Sequence, residues 1–217
     1  MRSSIIIRRA LWEDVEGVLA VKQRLAMPRD VSATSTGGFL LGSSRQWYDA
    51  FVEQAFFHVL EDRDQGIVGF AIALGDGLMR SGDIWTRRTE VKWTEDIADA
   101  ESGRVSYYEQ LAILPDRRYR LYGPSLALAP YRDLVSTEHT HVFATVVRKP
   151  VHNRAAVPLL EGIGARRVGA IEEEYPEVGE LASDVYMVRI DRPPSEDPVE
   201  STSLGEKVRS IFSRLSV

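Results

Sequence analysis

Between Pro115 and Pro124 the chain reads Pro-Asp-Arg-Arg-Tyr-Arg-Leu-Tyr-Gly-Pro, which crowds Arg117, Arg118 and Arg120 just ahead of Gly123. An apolar run from Val105 to Leu114 precedes this turn, and a helical segment from Pro124 to about Val135 follows it, with proline at a tolerated first-turn position. A basic turn thus delivers the chain into a helix N-terminus. Such a terminus leaves backbone N–H groups unpaired and carries a partial positive charge, so it suits a phosphate or pyrophosphate, with glycine where the anion must approach the backbone. The same residues also read as an ordinary strand-to-helix loop with a solvated basic face.

Composition narrows the remaining chemistry. The 217 residues carry a formal net charge of −5, which lacks the broad electrostatic footprint of a general nucleic-acid binder. There is no cysteine, so disulfides, thiolate zinc sites and a cysteine nucleophile are excluded. His58, His139, His141 and His152 lack carboxylate-supported ligand spacing, and no metal is expected. The small-residue stretch Ser32 to Gly42 lacks the Gly-x-Ser-x-Gly context of a hydrolase elbow. Ile5 to Ile7 is too short a run for a signal segment or a membrane span, and no other segment reaches spanning length. The expectation is a cytoplasmic protein without nucleic-acid or membrane partners.

The elements that must position the turn follow from periodicity. Ile5 to Arg9 reads as a strand, Trp12 to Met27 as a helix and Ser44 to Ala55 as a second helix. Phe56 to Leu60 and Ile67 to Leu74 form an antiparallel hairpin closed by Gly66. Gly75 to Gly103 then interrupts the pattern with a polar segment holding Trp85 and Trp93, which reads as a lid, a binding loop or a small insertion. After the strand Val105 to Leu114 and the helix containing Pro130 come a strand at His141 to Val147 and a helix from Asn153 to Ile163 ended by Gly164. Strands at Val168 to Glu172 and Asp184 to Ile190 complete the order.

This order predicts one mixed α/β domain over residues 1–192. Asp191 to Glu200 has an acidic, proline-bearing linker composition. Beyond it, Leu204, Val208, Ile211, Phe212 and Leu215 fall on one face of an amphipathic helix within 193–217. A face of that kind needs a surface, either its own domain or a second subunit, and a homodimer is the expectation.

Across about residues 4–191 the chain resembles the GNAT superfamily of N-acetyltransferases. The residues that carry the resemblance are the Ile-Arg-Arg-Ala opening, Ile67-Val68-Gly69-Phe70, Leu111-Ala112-Ile113-Leu114-Pro115, Asn153-Arg154-Ala155-Ala156 and Leu159-Leu160-Glu161-Gly162-Ile163-Gly164-Ala165. The resemblance implies a mixed, mostly antiparallel sheet flanked by helices on both faces. It also implies transfer of an acetyl group from acetyl-CoA to a primary amine, on a small molecule or a peptide, within a ternary complex. The family turn R/Q-x-x-G-x-G/A, which wraps the pyrophosphate, fits in two registers. Arg118 to Gly123 keeps the usual spacing but puts Leu121 where the first glycine belongs. Arg120 to Ser125 keeps Gly123 in that place but puts Pro124, which has no N–H, inside the cradle.

Further roles follow from the resemblance. An amine is mostly protonated near neutrality, with a pKa of about 10.4, so a base must take its proton before it attacks the thioester. Glu109, six residues before Pro115, stands where relatives hold that base; a structural ion pair is the other reading of a strand glutamate. The Ile113 N–H would face the oxyanion, Leu111 and Ile113 would pair with the pantetheine arm, and Arg118, Arg120, Leu121, Tyr122, Gly123, Ser125 and Asn153 would complete the coenzyme site. Phe39, Leu40, Trp47 and Tyr107, and similarly Trp85 and Trp93, would lie toward the acceptor or else pack in the core. Leu160 occupies the place of the tyrosine that often protonates the leaving thiolate, with Tyr107, Tyr108 and Tyr122 as candidate substitutes. Arg87, Arg88 and Lys92 either greet an acidic acceptor or form a solvated charged face. Leu121, Pro124 and Leu160 also fit an alternative, a non-catalytic module that binds CoA or an acyl carrier.

Overall fold

Runs such as Phe-Phe-His-Val-Leu and Ile-Val-Gly-Phe-Ala-Ile-Ala-Leu are rich in β-branched and aromatic residues, and they become the centre of the sheet. The computed structural model describes residues 5–25, 31–35, 40, 43–175 and 178–190. Strand β1 (Ile5–Arg9) leads through one 3₁₀ turn into helix α1 (Val15–Arg24). After β2 (Ala33–Thr34) come α2 (Arg45–Gln54) and the hairpin β3 (Phe56–Asp62) with β4 (Gly66–Leu74). Gly66 turns this hairpin at φ +77°, in the left-handed region that glycine enters without a steric penalty.

The segment expected as a lid, loop or insertion is a small structured insertion. It contains α3 (Asp76–Ser81), α4 (Asp83–Thr86), a 3₁₀ turn, β5 (Lys92–Trp93) and α5 (Ala98–Ser102). Central strand β6 (Val105–Ile113) follows, then α6 (Arg117–Arg120), α7 (Gly123–Ser136) and β7 (His141–Lys149). Helix α7 continues through Pro130. The described elements end with β8 (His152–Asn153), α8 (Val157–Gly162), β9 (Arg166–Tyr175) and β10 (Gly179–Arg189). The helix expected from Asn153 is therefore shorter. Asn153 lies in β8, paired with Thr34, and its Oδ1 accepts the Ala155 N–H at 3.2 Å in a local turn before the helix.

The large sheet has the order β1-β3-β4-β6-β7-β10-β9-β5. Every neighbouring pair is antiparallel except β6 with β7, which α7 connects as a parallel crossover. Alternation along the strands feeds a core on each face. On one face Val15, Val18, Tyr48 and Phe51 of the first two helices meet Phe57, Phe70 and Ile72. On the other, Leu128, Tyr131 and Leu134 of α7 and Leu160 of α8 meet Val142, Ala144 and Val146, while the intervening Phe143 turns to the first core. The result is the mixed, mostly antiparallel sheet with helices on both faces. No described helix is long and apolar enough to cross a membrane. The 193–217 segment and Phe39 lie outside the described residues.

Candidate active site

Strand β6 pairs with β7 only through Val105↔His141, Ser106↔Val142 and Tyr107↔Phe143, and beyond that point the two strands part. On its other side β6 matches Tyr108 to Ala73 and Gln110 to Ile72, so Glu109 has no partner in β4. Glu109 is thus the extra residue of a β-bulge, placed at the point where β6 leaves β7. A bulge twists its strand and re-aims a side chain, which carries Glu109 into the gap. Past the bulge the Leu114 N–H donates to the Val68 carbonyl at 2.9 Å. Successive backbone N–H groups alternate sides in an extended strand, so those of Ile113 and Leu111 point away from β4, into the gap.

Two cavities meet there. The first, about 420 Å³, is bounded by Glu109, Leu111, Ile113, Arg120, Asn153 and Leu160, with Leu40 at its wall. The second, about 280 Å³, lies under the insertion and is bounded by Trp85, Trp93, Tyr107, Phe143 and Glu173. Glu109, Gln110, Thr145 and Val147 line both. Glu109 is half-buried and no cation pairs with it among the described residues. Desolvation alone pushes its carboxyl up to about 7. The structural ion pair that a strand glutamate could have made is absent there.

The neighbours of Glu109 are fixed by hydrogen bonds. Gln110 accepts from Tyr48 Oη at 2.8 Å and its Nε2 donates to Ser43 Oγ at 2.6 Å. Tyr107 Oη lies 2.6 Å from Thr145 Oγ1, and Tyr108 Oη donates to the Ala127 carbonyl at 3.0 Å. Burial raises both phenols far above their ordinary range, which makes them weak acids. Leu160 adds apolar surface and no proton donor.

The arginine turn separates its members. Asp116 caps α6: its carboxylate accepts the Arg118 N–H at 2.9 Å, and its carbonyl accepts those of Tyr119 and Arg120 at 3.1 and 3.3 Å. The Arg118 side chain lies over the Tyr119 ring, 4.5 Å from its centroid, and faces Asp62 and Asp116 at 3.6 and 3.4 Å. Arg120 lines the first cavity instead. Leu121 is 51% exposed, and Tyr122 and Ser125 line a separate groove beside Arg9 and Arg132. Gly123 opens α7, and a methyl group there would stand 3.5 Å from Ile113 Cδ1. Of the two registers, the one beginning at Arg120 starts at the cavity.

Thr145, Gln110 and Phe143 had no signal in the sequence, whereas Tyr107, Trp85 and Trp93 were singled out there. Thr145 enters the site because β7 diverges from β6, a relation between strands that local spacing does not encode. Arg87 pairs with Glu90 at 2.9 Å and with Glu173 at 2.5 Å, Arg88 with Glu101 at 2.8 Å, and Lys92 with Glu172 at 3.2 Å. These cations hold the insertion together and hold it to β9.

Neither a protein-family model nor a curated protein sequence matches the chain. Solved structures do. A mosquito arylalkylamine N-acetyltransferase like 5b superposes with a TM-score of 0.59 at 16% identity, covering 86% of this chain and 100% of its own. The ribosomal-protein-S18-alanine N-acetyltransferase of Escherichia coli gives 0.55 at 16%, covering 88% and 97%. A GNAT-family acetyltransferase of Streptococcus pneumoniae gives 0.54 at 17%, covering 86% and 99%. The chain has the fold of the GNAT N-acetyltransferases.

Proposed function

We propose that the protein transfers an acetyl group from acetyl-CoA to a primary amine, on a small molecule or a peptide, by direct attack in a ternary complex. The observation that supports this most is Glu109: an unpaired carboxyl, held near neutrality by burial, in a strand bulge where two cavities meet. The fold is shared with enzymes of this activity, and the names of two of them, one for an alanine of a ribosomal protein and one for arylalkylamines, leave the acceptor open.

In this reading the first cavity takes the thioester arm along the free edge of β6, with the pyrophosphate near Arg120 and the start of α7. The amine enters from the second cavity. Glu109 removes a proton from the ammonium, and the freed nitrogen attacks the thioester carbon. The Ile113 N–H faces the oxygen on which negative charge develops. As the C–S bond breaks the thiolate departs, and the second proton shed by the nitrogen passes to water in the cavity, from which the thiolate is reprotonated. A thiol has a pKa of about 8.5, so its thiolate leaves without an acid in the place of Leu160. With no cysteine in the chain and no Ser-His pair at the gap, the acyl group passes without a covalent enzyme intermediate.

Thermal denaturation with and without acetyl-CoA, followed by a thiol-release assay over a panel of amines, tests the proposal. A midpoint that rises with acetyl-CoA concentration together with amine-dependent thiol release is the expected pair of results. Binding without release for any amine would instead establish a CoA-binding module.

A further inference from the structure

We infer that the second cavity selects a primary amine carried on an aromatic body and rejects free amino acids and polyamines; the inference rests on the acyl-transfer reading. The wall of the cavity comes largely from the insertion and from the β9–β10 half of the sheet. Trp85 and Trp93 each pack edgewise on Phe143, with centroids 6.5 and 6.1 Å apart. The polar handle of Trp93 is already taken, and the face of Trp85 is covered by cations. The Trp93 Nε1–H donates to the Arg88 carbonyl at 3.0 Å, and the Trp85 ring carries the guanidinium groups of Arg80 and Arg88 at 4.7 and 4.8 Å. With Ile171, Leu181 and Val185 the two rings make an apolar wall on the proposed acceptor side of Glu109.

Charge decides between amines. A free amino acid needs a cation for its carboxylate, and the lining cations Arg87 and Arg88 are each held by glutamates, Glu90 with Glu173 and Glu101 respectively. A polyamine needs a second carboxylate for its far ammonium, and the other two that line the cavity, Glu173 and Asp83, both face Arg87, at 2.5 and 3.9 Å. Burying a charge without a partner is strongly unfavourable, so either acceptor would leave one unpaired. An arylalkylamine avoids both penalties: its ammonium meets Glu109, and its ring displaces water from the aromatic wall.

The test compares kcat/KM for 2-phenylethylamine and tryptamine with that for putrescine, glutamate and a lysine peptide at saturating acetyl-CoA. The aromatic amines are expected to exceed every other acceptor by at least about tenfold. Trp93→Ala is expected to raise KM for the aromatic amines by about tenfold with KM for acetyl-CoA unchanged, and Trp93→Phe to restore much of the loss. A preference for putrescine, glutamate or the peptide overturns the inference, as does an equal effect of Trp93→Ala on every acceptor. A second readout is independent of turnover. Trp12 and Trp47 are the exposed tryptophans, so in a W12F/W47F protein indole emission reports Trp85 and Trp93. Saturable change with 2-phenylethylamine, which unlike tryptamine carries no indole of its own, and none with putrescine supports the cavity assignment, and no change with either refutes it. Absence of any acetyl-CoA binding would instead refute acyl transfer, which the emission titration does not address.

Discussion

Glu109, the proposed base, is buried at the expense of the fold. Burial lifts its carboxyl from the ordinary 4.5 to about 7, so between those values the folded chain holds a proton that the unfolded chain has released. Stability from this group is therefore present at low pH and is lost as pH rises toward 7. Glu109→Gln removes a charge that has no partner, and it is expected to stabilise the protein by about 1–2 kcal/mol above pH 7, allowing for water in the cavities, and by little at pH 4. Thermal melts of both proteins at the two pH values measure this. The arginines divide in the same way. Arg120→Ala is expected to raise KM for acetyl-CoA by about tenfold, with a steep salt dependence in the parent, because Arg120 stands at the cavity. Arg118→Ala, which breaks contacts with Asp62 and Asp116, is expected to leave that KM unchanged and lower stability by less than about 1 kcal/mol. Residue types and spacing made the basic turn legible in the sequence, and the family resemblance made Glu109 so. Choosing Arg120 over Arg118 needed Asp62, which only the fold brings beside the turn, and the bulge that frees Glu109 is a property of strand register.

The insertion is the element that walls the second cavity, the proposed acceptor side. Its strand β5 is only Lys92–Trp93, laid on β9 opposite Ala170 and Gly169. Two residues are too few for an alternation signal, which explains why no strand was legible at Trp93. The contact requires glycine: a methyl group at Gly169 would stand 2.9 Å from Val91 Cγ1 and 3.1 Å from the Lys92 carbonyl. Gly169→Ala is therefore expected to push β5 off the sheet, with a loss of about 1–3 kcal/mol in stability. Steady-state kinetics should then show a raised acceptor KM and an unchanged acetyl-CoA KM. The hairpin and the end of α8 were readable because Gly66 and Gly164 punctuate them, both in the left-handed region. The start of α8 was misplaced because Asn153, a good cap by type, makes its side-chain bond within a turn that precedes the helix.

At the scale of the molecule, both cores close within the described residues up to Ile190. A chain ending at Pro193 is thus expected to fold and to keep its acetyl-CoA-induced thermal shift. The apolar stripe within 193–217 is proposed to join two chains; sedimentation should find a dimer for the full chain and a monomer for the shortened one, and an unchanged dimer would remove that role. The order of elements, and with it the fold, was legible because long periodic segments dominate it. The divergence of β6 from β7 was not, because no local pattern records where a pairing stops. That divergence and the carboxyl within it form the central claim, and the pH dependence of kcat/KM for thiol release, in the parent and in Glu109→Gln, tests it most directly. The parent is expected to show a rising limb centred near 7, the value to which burial brings Glu109. In Glu109→Gln that limb should vanish and the rate should fall by about 10²–10⁴-fold. A variant that turns over like the parent, or that keeps the limb, would contradict the account.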